Sequence, residues 1–308
     1  MRNSILNSIS NKISLNEKII VVLGDLGIFQ MREAMKNFPS RVINFGIMEQ
    51  TMIGFCGGLS RGGYYPIMYS ITPFLVDRGY EQIKIDLIYN NNPCLILSAG
   101  GSFDYSTLGP THHCQHDISN LLAVNHPFII HPFCKEEAVK QADYSIDNKM
   151  QSYLRISSSE LEFSENEYDS VINNLDNIQL DNNILYLKKY KPKITKNKKQ
   201  LLVLFGPDSQ FFKEFEKFLN NSKLIVFLSV ISDKSIELLV SEILEFEEVV
   251  LLIPYEPSGL INKLIRLIKR SDKIPKKIIT IHPKNYFFDQ SYEKRKIFED
   301  FSDCTKII

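Results

Sequence analysis

Glu49 is an acid in the middle of an apolar and small-residue stretch, RVINFGIMEQTMIGFCGGLSRGG at 41–63. It falls where a strand pattern gives way to a helix pattern. Burying a carboxylate there is costly unless something pairs with it. Two explanations fit the position: an acid at a helix start, favoured by the helix dipole, or a proton-handling group aimed at a ligand. A second set of chemistry-bearing residues follows a glycine-rich turn, where LGPTHHCQHDI at 108–118 carries His112, His113, Cys114 and His116. Histidine exchanges protons near neutral pH and is also the commonest metal ligand. These four residues could hold an ion, although side chains adjacent in one loop rarely converge on one centre. FLVDRGYEQIKIDL at 74–87 adds Arg78 and the aromatic face of Phe74, whose alternative is core packing; Tyr80 reads as core. A guanidinium can grip phosphate in bidentate fashion, and Arg155 in YLRISSS is a second candidate for that task. The alternative for either arginine is a surface ion pair. Asp25 in LGDLG stands at the end of a strand pattern, where open sheets place functional loops and where turn chemistry also favours Asp.

The elements that must position these residues alternate. Strand patterns at 18–24, 41–46, 64–70, 93–99 and 126–132 are separated by helix patterns at 28–37, 47–60, 74–90 and 117–124. Within 74–90, Phe74, Tyr80, Ile83 and Leu87 recur at helical spacing. After Ser157 the chain turns polar, rich in Asn, Glu and Lys, with one short strand pattern at 184–188. Alternation resumes with strands at 200–206, 224–230, 248–254 and 277–282 and helices at 208–220, 234–246 and 258–270. The expectation is an α/β chain of two domains, 1–158 and 200–308, joined by a linker with an edge strand at 159–199. Each domain is expected to be a mostly parallel sheet covered by helices.

Composition limits the function classes. With 36 basic and 36 acidic residues among 308, the neutral chain has no global attraction to nucleic acid or membrane surfaces. The basic run KKYKPKITKNKK at 188–199 reads as a solvated linker. No stretch is apolar for long enough to span a bilayer. The first 18 residues lack the apolar core of a secretory leader; their basic, acid-free start up to Glu17 is the one feature shared with a transit peptide. Five cysteines without paired spacing fit reduced thiols and a cytoplasmic setting.

Three blocks in order, RVINFGIMEQTMIGFCGGLSRGGYYPIMY, FLVDRGYEQIKIDL and LGPTHHCQHDI, make the chain resemble the C-terminal half of the transketolase family. That family comprises thiamine diphosphate enzymes and includes 1-deoxyxylulose-5-phosphate synthase. The resemblance covers nearly the whole chain, the second domain through weaker motifs. It implies that the cofactor supplies a carbanion and that Glu49 hydrogen-bonds the aminopyrimidine ring, favouring its imino form. It implies further that Phe74 stacks on that ring, that Met48 and Ile47 line its pocket, and that Asp25 lies near the cofactor. His112 of GPTH would meet the substrate's oxygens, with His113 and Arg78 as further substrate contacts.

Two positions depart from the family's pattern for sugar phosphates. Leu108 replaces an acid before GPTH, the nearest acid being Asp104, and Ser158 stands about where an arginine is usual. A larger departure is that no GDG followed by Asn occurs in the chain, so ligands for Mg²⁺ and the diphosphate are expected on a partner chain. The resemblance then implies a split, α2β2 transketolase-type enzyme moving a two-carbon ketol unit between sugars. The rival readings are a β-type subunit of a 2-oxo acid dehydrogenase, which lacks the GPTH block, and a non-catalytic protein retaining the fold.

Overall fold

The computed structural model describes residues 1–161, 199–284, 293–300 and 302–307 in full, together with the backbone of two strands at 176–180 and 184–190. The apolar runs read as strands build two sheets. The first contains β1 (Ile19–Leu23), β2 (Val42–Asn44), β3 (Tyr65–Ile71), β4 (Cys94–Ala99), β5 (Ile129–Ile130) and β6 (Gln151–Ile156). These are all parallel, in the order β5-β6-β4-β3-β1-β2. β1, β3, β4 and β6 are buried along almost their whole length, as expected for strands covered on both faces.

Helices α1 (Arg2–Leu15), α2 (Ile28–Asn37) and α7 (Lys135–Asp147) cover one face. On the other lie α3 (Glu49–Arg61), α4 (Thr72–Val76), α6 (Asp117–Ala123) and, through Ile83 and Leu87, the helical run that opens with α5 (Tyr80–Gln82). α1 is an element that the polar opening segment conceals. It buries Ile5, Leu6, Ile9 and Ile13, the apolar stripe of an otherwise Ser/Asn/Lys-rich helix. The single helix expected over 74–90 is instead broken. α4 ends at Val76, a turn spans 77–79, and α5 runs into a π-helix at Ile83–Tyr89. Gly79 marks the break, because a Cβ there would stand 2.3 Å from Ile53 Cδ1 and 2.6 Å from the Leu75 carbonyl oxygen.

In the second sheet β9 (Gln200–Leu204), β10 (Ser222–Leu228), β12 (Glu248–Leu252) and β13 (Lys277–Pro283) are parallel. β14 (Ser302–Lys306) closes one edge antiparallel, and the hairpin β7 (Asp176–Leu180) and β8 (Ile184–Tyr190) closes the other. The one strand expected between the domains is thus a hairpin belonging to the second sheet. A two-residue strand, β11 (Val230–Ile231), leaves β10 and pairs antiparallel with β5, so the first sheet ends on a strand from the later part of the chain. Helices α8 (Phe215–Asn221), α9 (Asp233–Ile243), α10 (Ser258–Ile268) and α11 (Lys294–Asp300) flank the second sheet. α9 starts on a Ser232–Ser235 capping box, which satisfies otherwise open backbone donors.

Candidate active site

The chain runs from β1 to β2 on one side and returns through β3 to the other. This leaves a crevice beyond the strands' C-terminal ends, the usual ligand position in open α/β sheets. Glu49, the first residue of α3, sits in it with 1% of its surface exposed. The Ser70 hydroxyl, at the end of β3, lies 3.0 Å from Glu49 Oε1 and 3.2 Å from the Gly24 carbonyl oxygen. Gly24 is required by close approach: a Cβ there would stand 2.8 Å from Ser70 Oγ. Glu49 thus stands in the first turn of α3 with a hydroxyl donor fixed on one of its two carboxylate oxygens.

Glu49 Oε2 accepts a 2.6 Å bond from Arg78 Nη1. The carboxylate has no exposed surface, whereas the Arg78 side chain is 40% exposed. The Arg78 guanidinium carbon also lies 4.3 Å from the centre of the Phe74 ring. His112 meets that ring edge-on, with centroids 5.3 Å apart, and meets Tyr105 at 6.3 Å. Thr111 Oγ1, 2.9 Å from His112 Nδ1, orients the imidazole. The structure therefore gathers Glu49, Arg78, Phe74 and His112 from α3, the 77–79 turn, α4 and the glycine-rich loop.

Other residues singled out from sequence lie differently. His113 turns inward: it is buried, its Nε2 lies 3.3 Å from the Ser106 carbonyl oxygen, and its ring packs edge-on to Phe103. Burial lowers its pKa. Asp25 is exposed in a left-handed turn, where Asn44 Nδ2 donates to it at 3.2 Å. Met48 and Ile47 are exposed immediately ahead of Glu49. Tyr80 donates to the Asn120 carbonyl oxygen at 3.1 Å. Among the described residues no three His, Cys, Asp or Glu side chains form a metal-holding group.

Arg155 is neither an anion gripper at the surface nor a surface ion pair. It is 1% exposed, donates to Asp117 Oδ2 at 2.8 Å and to Ser102 Oγ at 2.8 Å, and lies 3.3 Å from His131 Nε2. Tyr153 donates to the same Asp117 oxygen at 2.6 Å. This node anchors the glycine-rich loop, and Gly101 is needed there because a Cβ would stand 2.2 Å from Arg155 Nε.

One of the two departures, Ser158, meets the nearest acid ahead of the GPTH block. Asp104 accepts from the Ser158 backbone N–H at 2.9 Å and from its hydroxyl at 2.7 Å. Lys294 of α11 pairs with Asp104, and with Asp208 Oδ1 at 2.6 Å. Nothing in the local sequence announces Lys294, since it arrives from 190 residues away. The second sheet's unit further holds this loop through a hydrogen bond from Ser102 Oγ to the Pro254 carbonyl oxygen, a 2.9 Å bond from Glu256 N to Gln115 O and the Phe103–Phe298 contact.

The profile of the family "Transketolase, pyrimidine binding domain" matches residues 8–162, and the chain belongs to this family. A 172-residue stretch is 29% identical to one of the subunits of apulose-4-phosphate transketolase from Actinobacillus succinogenes, covering 56% of this chain and 54% of that one. Over 160 residues it is 34% identical to 1-deoxy-D-xylulose-5-phosphate synthase of Thermotoga petrophila, covering 52% of this chain and 25% of that one. The chain thus aligns with about half the length of the first of these relatives and a quarter of the second. A solved structure described as "Split gene transketolase, inactive beta4 tetramer" shares the fold at TM-score 0.73 and 18% identity, covering 97% of this chain and 92% of that one. The Campylobacter jejuni transketolase aligns at TM-score 0.64 and 15% identity, covering 96% of this chain but 44% of that one.

Proposed function

We propose that this chain, comprising units 1–158 and 200–308 joined by 159–199, is the pyrimidine-binding subunit of a two-chain, thiamine-diphosphate-dependent transferase of the transketolase type. It works in the cytoplasm and moves a two-carbon ketol unit between sugars or sugar phosphates. The observation that carries the reading is the wholly buried Glu49 carboxylate, held by Ser70 and joined to the ring of Phe74 through the Arg78 guanidinium that contacts both. These residues fit an aminopyrimidine: a carboxylate to hydrogen-bond a ring nitrogen and an aromatic face to stack on. Stacking contributes about 0.5–1.5 kcal/mol beyond area burial.

When bound, thiamine diphosphate supplies a stabilised carbanion at its thiazolium ring. Glu49 would hold the proton shared with the pyrimidine, and Phe74 would offer the face on which the ring stacks. His112, oriented by Thr111, exchanges protons with the substrate's oxygens. Asp25 and Met48, both exposed, would be further cofactor contacts, Arg78 would face the substrate side, and His113 supports the loop from within.

The diphosphate and Mg²⁺ are held by a partner chain in an α2β2 assembly. Two observations support a partner. The sequence has no GDG…Asn segment. Ile47, Met48, Phe55 and Leu108 are exposed on α3, next to it or just ahead of GPTHH, and large apolar side chains left exposed beside a site favour a partner surface there. The test is co-expression with a chain bearing GDG…Asn. Glu49→Gln is expected to lose about 10²–10⁴-fold in transfer rate, and wild-type turnover in that variant would sink the assignment. An assembled pair that takes up no thiamine diphosphate by calorimetry would leave a binding protein with a retained fold.

A further inference from the structure

Arg78 makes two contacts at once. Its flat guanidinium lies over the face of Phe74, with its carbon 4.3 Å from the ring centre, and it donates to Glu49 Oε2 at 2.6 Å. A guanidinium is planar and carries its N–H donors in its own plane, so one group can stack and donate together. An aminopyrimidine has the same shape and polarity. Two flat groups cannot share one ring face and one carboxylate oxygen. Arg78 projects from the short turn between α4 and α5, and its side chain is 40% exposed while the Glu49 carboxylate has no exposed surface. It can leave by rotating into solvent without disturbing the core. Glu49 cannot follow it, because Ser70 retains Oε1.

We propose that Arg78 is a positioning residue for Glu49 that acts as a resident stand-in for the cofactor's pyrimidine ring, and that cofactor binding is an exchange in which the ring displaces it. This rests on the proposed function, since it takes the Glu49–Phe74 pocket to be the pyrimidine site. The exchange keeps a donor on the buried carboxylate throughout. Without Arg78 the empty pocket would leave the buried carboxylate with Ser70 as its one side-chain donor among the described residues, and water would have to take the guanidinium's place. With Arg78 in place, the cofactor must compete against an ion pair of modest strength, because one partner is solvated. Lysine could replace the charge but not the stacked plane.

The experiment is calorimetric titration of thiamine diphosphate with Mg²⁺ into the assembled two-chain complex. It compares wild type, Arg78→Ala and Arg78→Lys, each checked for native circular dichroism. Arg78→Ala is expected to bind about threefold tighter, with Arg78→Lys between it and wild type. In the chain alone, the Arg78 Nε–H resonance is expected to move towards its solvent-exposed position when 4-amino-2-methylpyrimidine is added. Equal or weaker binding by Arg78→Ala, in a complex whose wild type binds, overturns the displacement and leaves the functional assignment standing. Binding by Arg78→Ala but not by wild type supports it outright. Absence of binding in every variant overturns both.

Discussion

Two acid–arginine pairs stand in the first unit, built from the same chemistry and placed to opposite ends. Asp117–Arg155 is closed, with both side chains at most 1% exposed and the guanidinium shared among Asp117, Ser102 and His131. Glu49–Arg78 is half open, with the acid sealed and the arginine 40% exposed. The contrast follows from the elements that carry the arginines. Arg155 lies on β6, between β4 and β5 and under the loop that carries Ser102, so its charge must be fully matched. Arg78 lies on a turn between two short helices and is matched only towards Glu49. A charge matched from every side is structural; one matched from a single side can be exchanged.

The comparison is broken or sharpened by substitution. Arg155→Ala strands Asp117 in the core and is expected to cost about 3–5 kcal/mol in urea unfolding. An effect under about 1 kcal/mol would show the closed node to be dispensable. Acid should find the closed side next. His126 and His131 are buried, and burial lowers both, His126 to about 3 and His131 well below its ordinary value. Below about pH 6.5 the unfolded chain takes up protons that the folded one refuses, so stability falls as pH drops towards the folded values. For each such histidine the loss is at most about 1.4 kcal/mol per pH unit. His126→Gln is expected to flatten the decline of Tm between pH 6.5 and 4, and an unchanged slope would assign acid sensitivity elsewhere.

Lys294→Met removes the cation between Asp104 and Asp208 and is expected to cost about 1–3 kcal/mol. Hydrogen exchange should also quicken in residues 101–112, and unchanged exchange there would mean that α11 does not hold the loop. Arg78→Ala is expected to cost under about 1 kcal/mol in the same urea assay, because water can take the guanidinium's place at Glu49. A cost like that of Arg155→Ala would erase the distinction between the two pairs.

The sequence made β1 to β6, β9, β10, β12 and β13, with α2, α3 and α6, legible because their apolar spacing is set by burial against the sheets, but not β7, β11 or β14. It made Glu49 conspicuous for the same reason, as an acid where the pattern calls for apolar residues. It hid α1, whose stripe of Ile5, Leu6, Ile9 and Ile13 is diluted by Ser and Asn. It also hid the break at Gly79, since the spacing from Phe74 to Leu87 looks continuous on a helical wheel. Arg155 shows the deeper limit. A charged residue reads as a surface residue by default, and only its place on β6, between two buried strands, reverses that. Lys294 was illegible because its partners lie about ninety and two hundred residues away along the chain.

β11 carries a consequence for anyone dividing this protein. Val230 and Ile231 leave the second unit to cap the edge of the first sheet at β5, and His131 N–H donates to the Ser229 carbonyl oxygen at 2.7 Å beside them. A fragment ending before residue 199 would expose that edge as a row of unpaired backbone groups, a template for any passing strand. Such a truncation should self-associate through β5 even with every residue of the Glu49 pocket in place. The boundary that looks natural on a domain map is an unfinished seam in three dimensions.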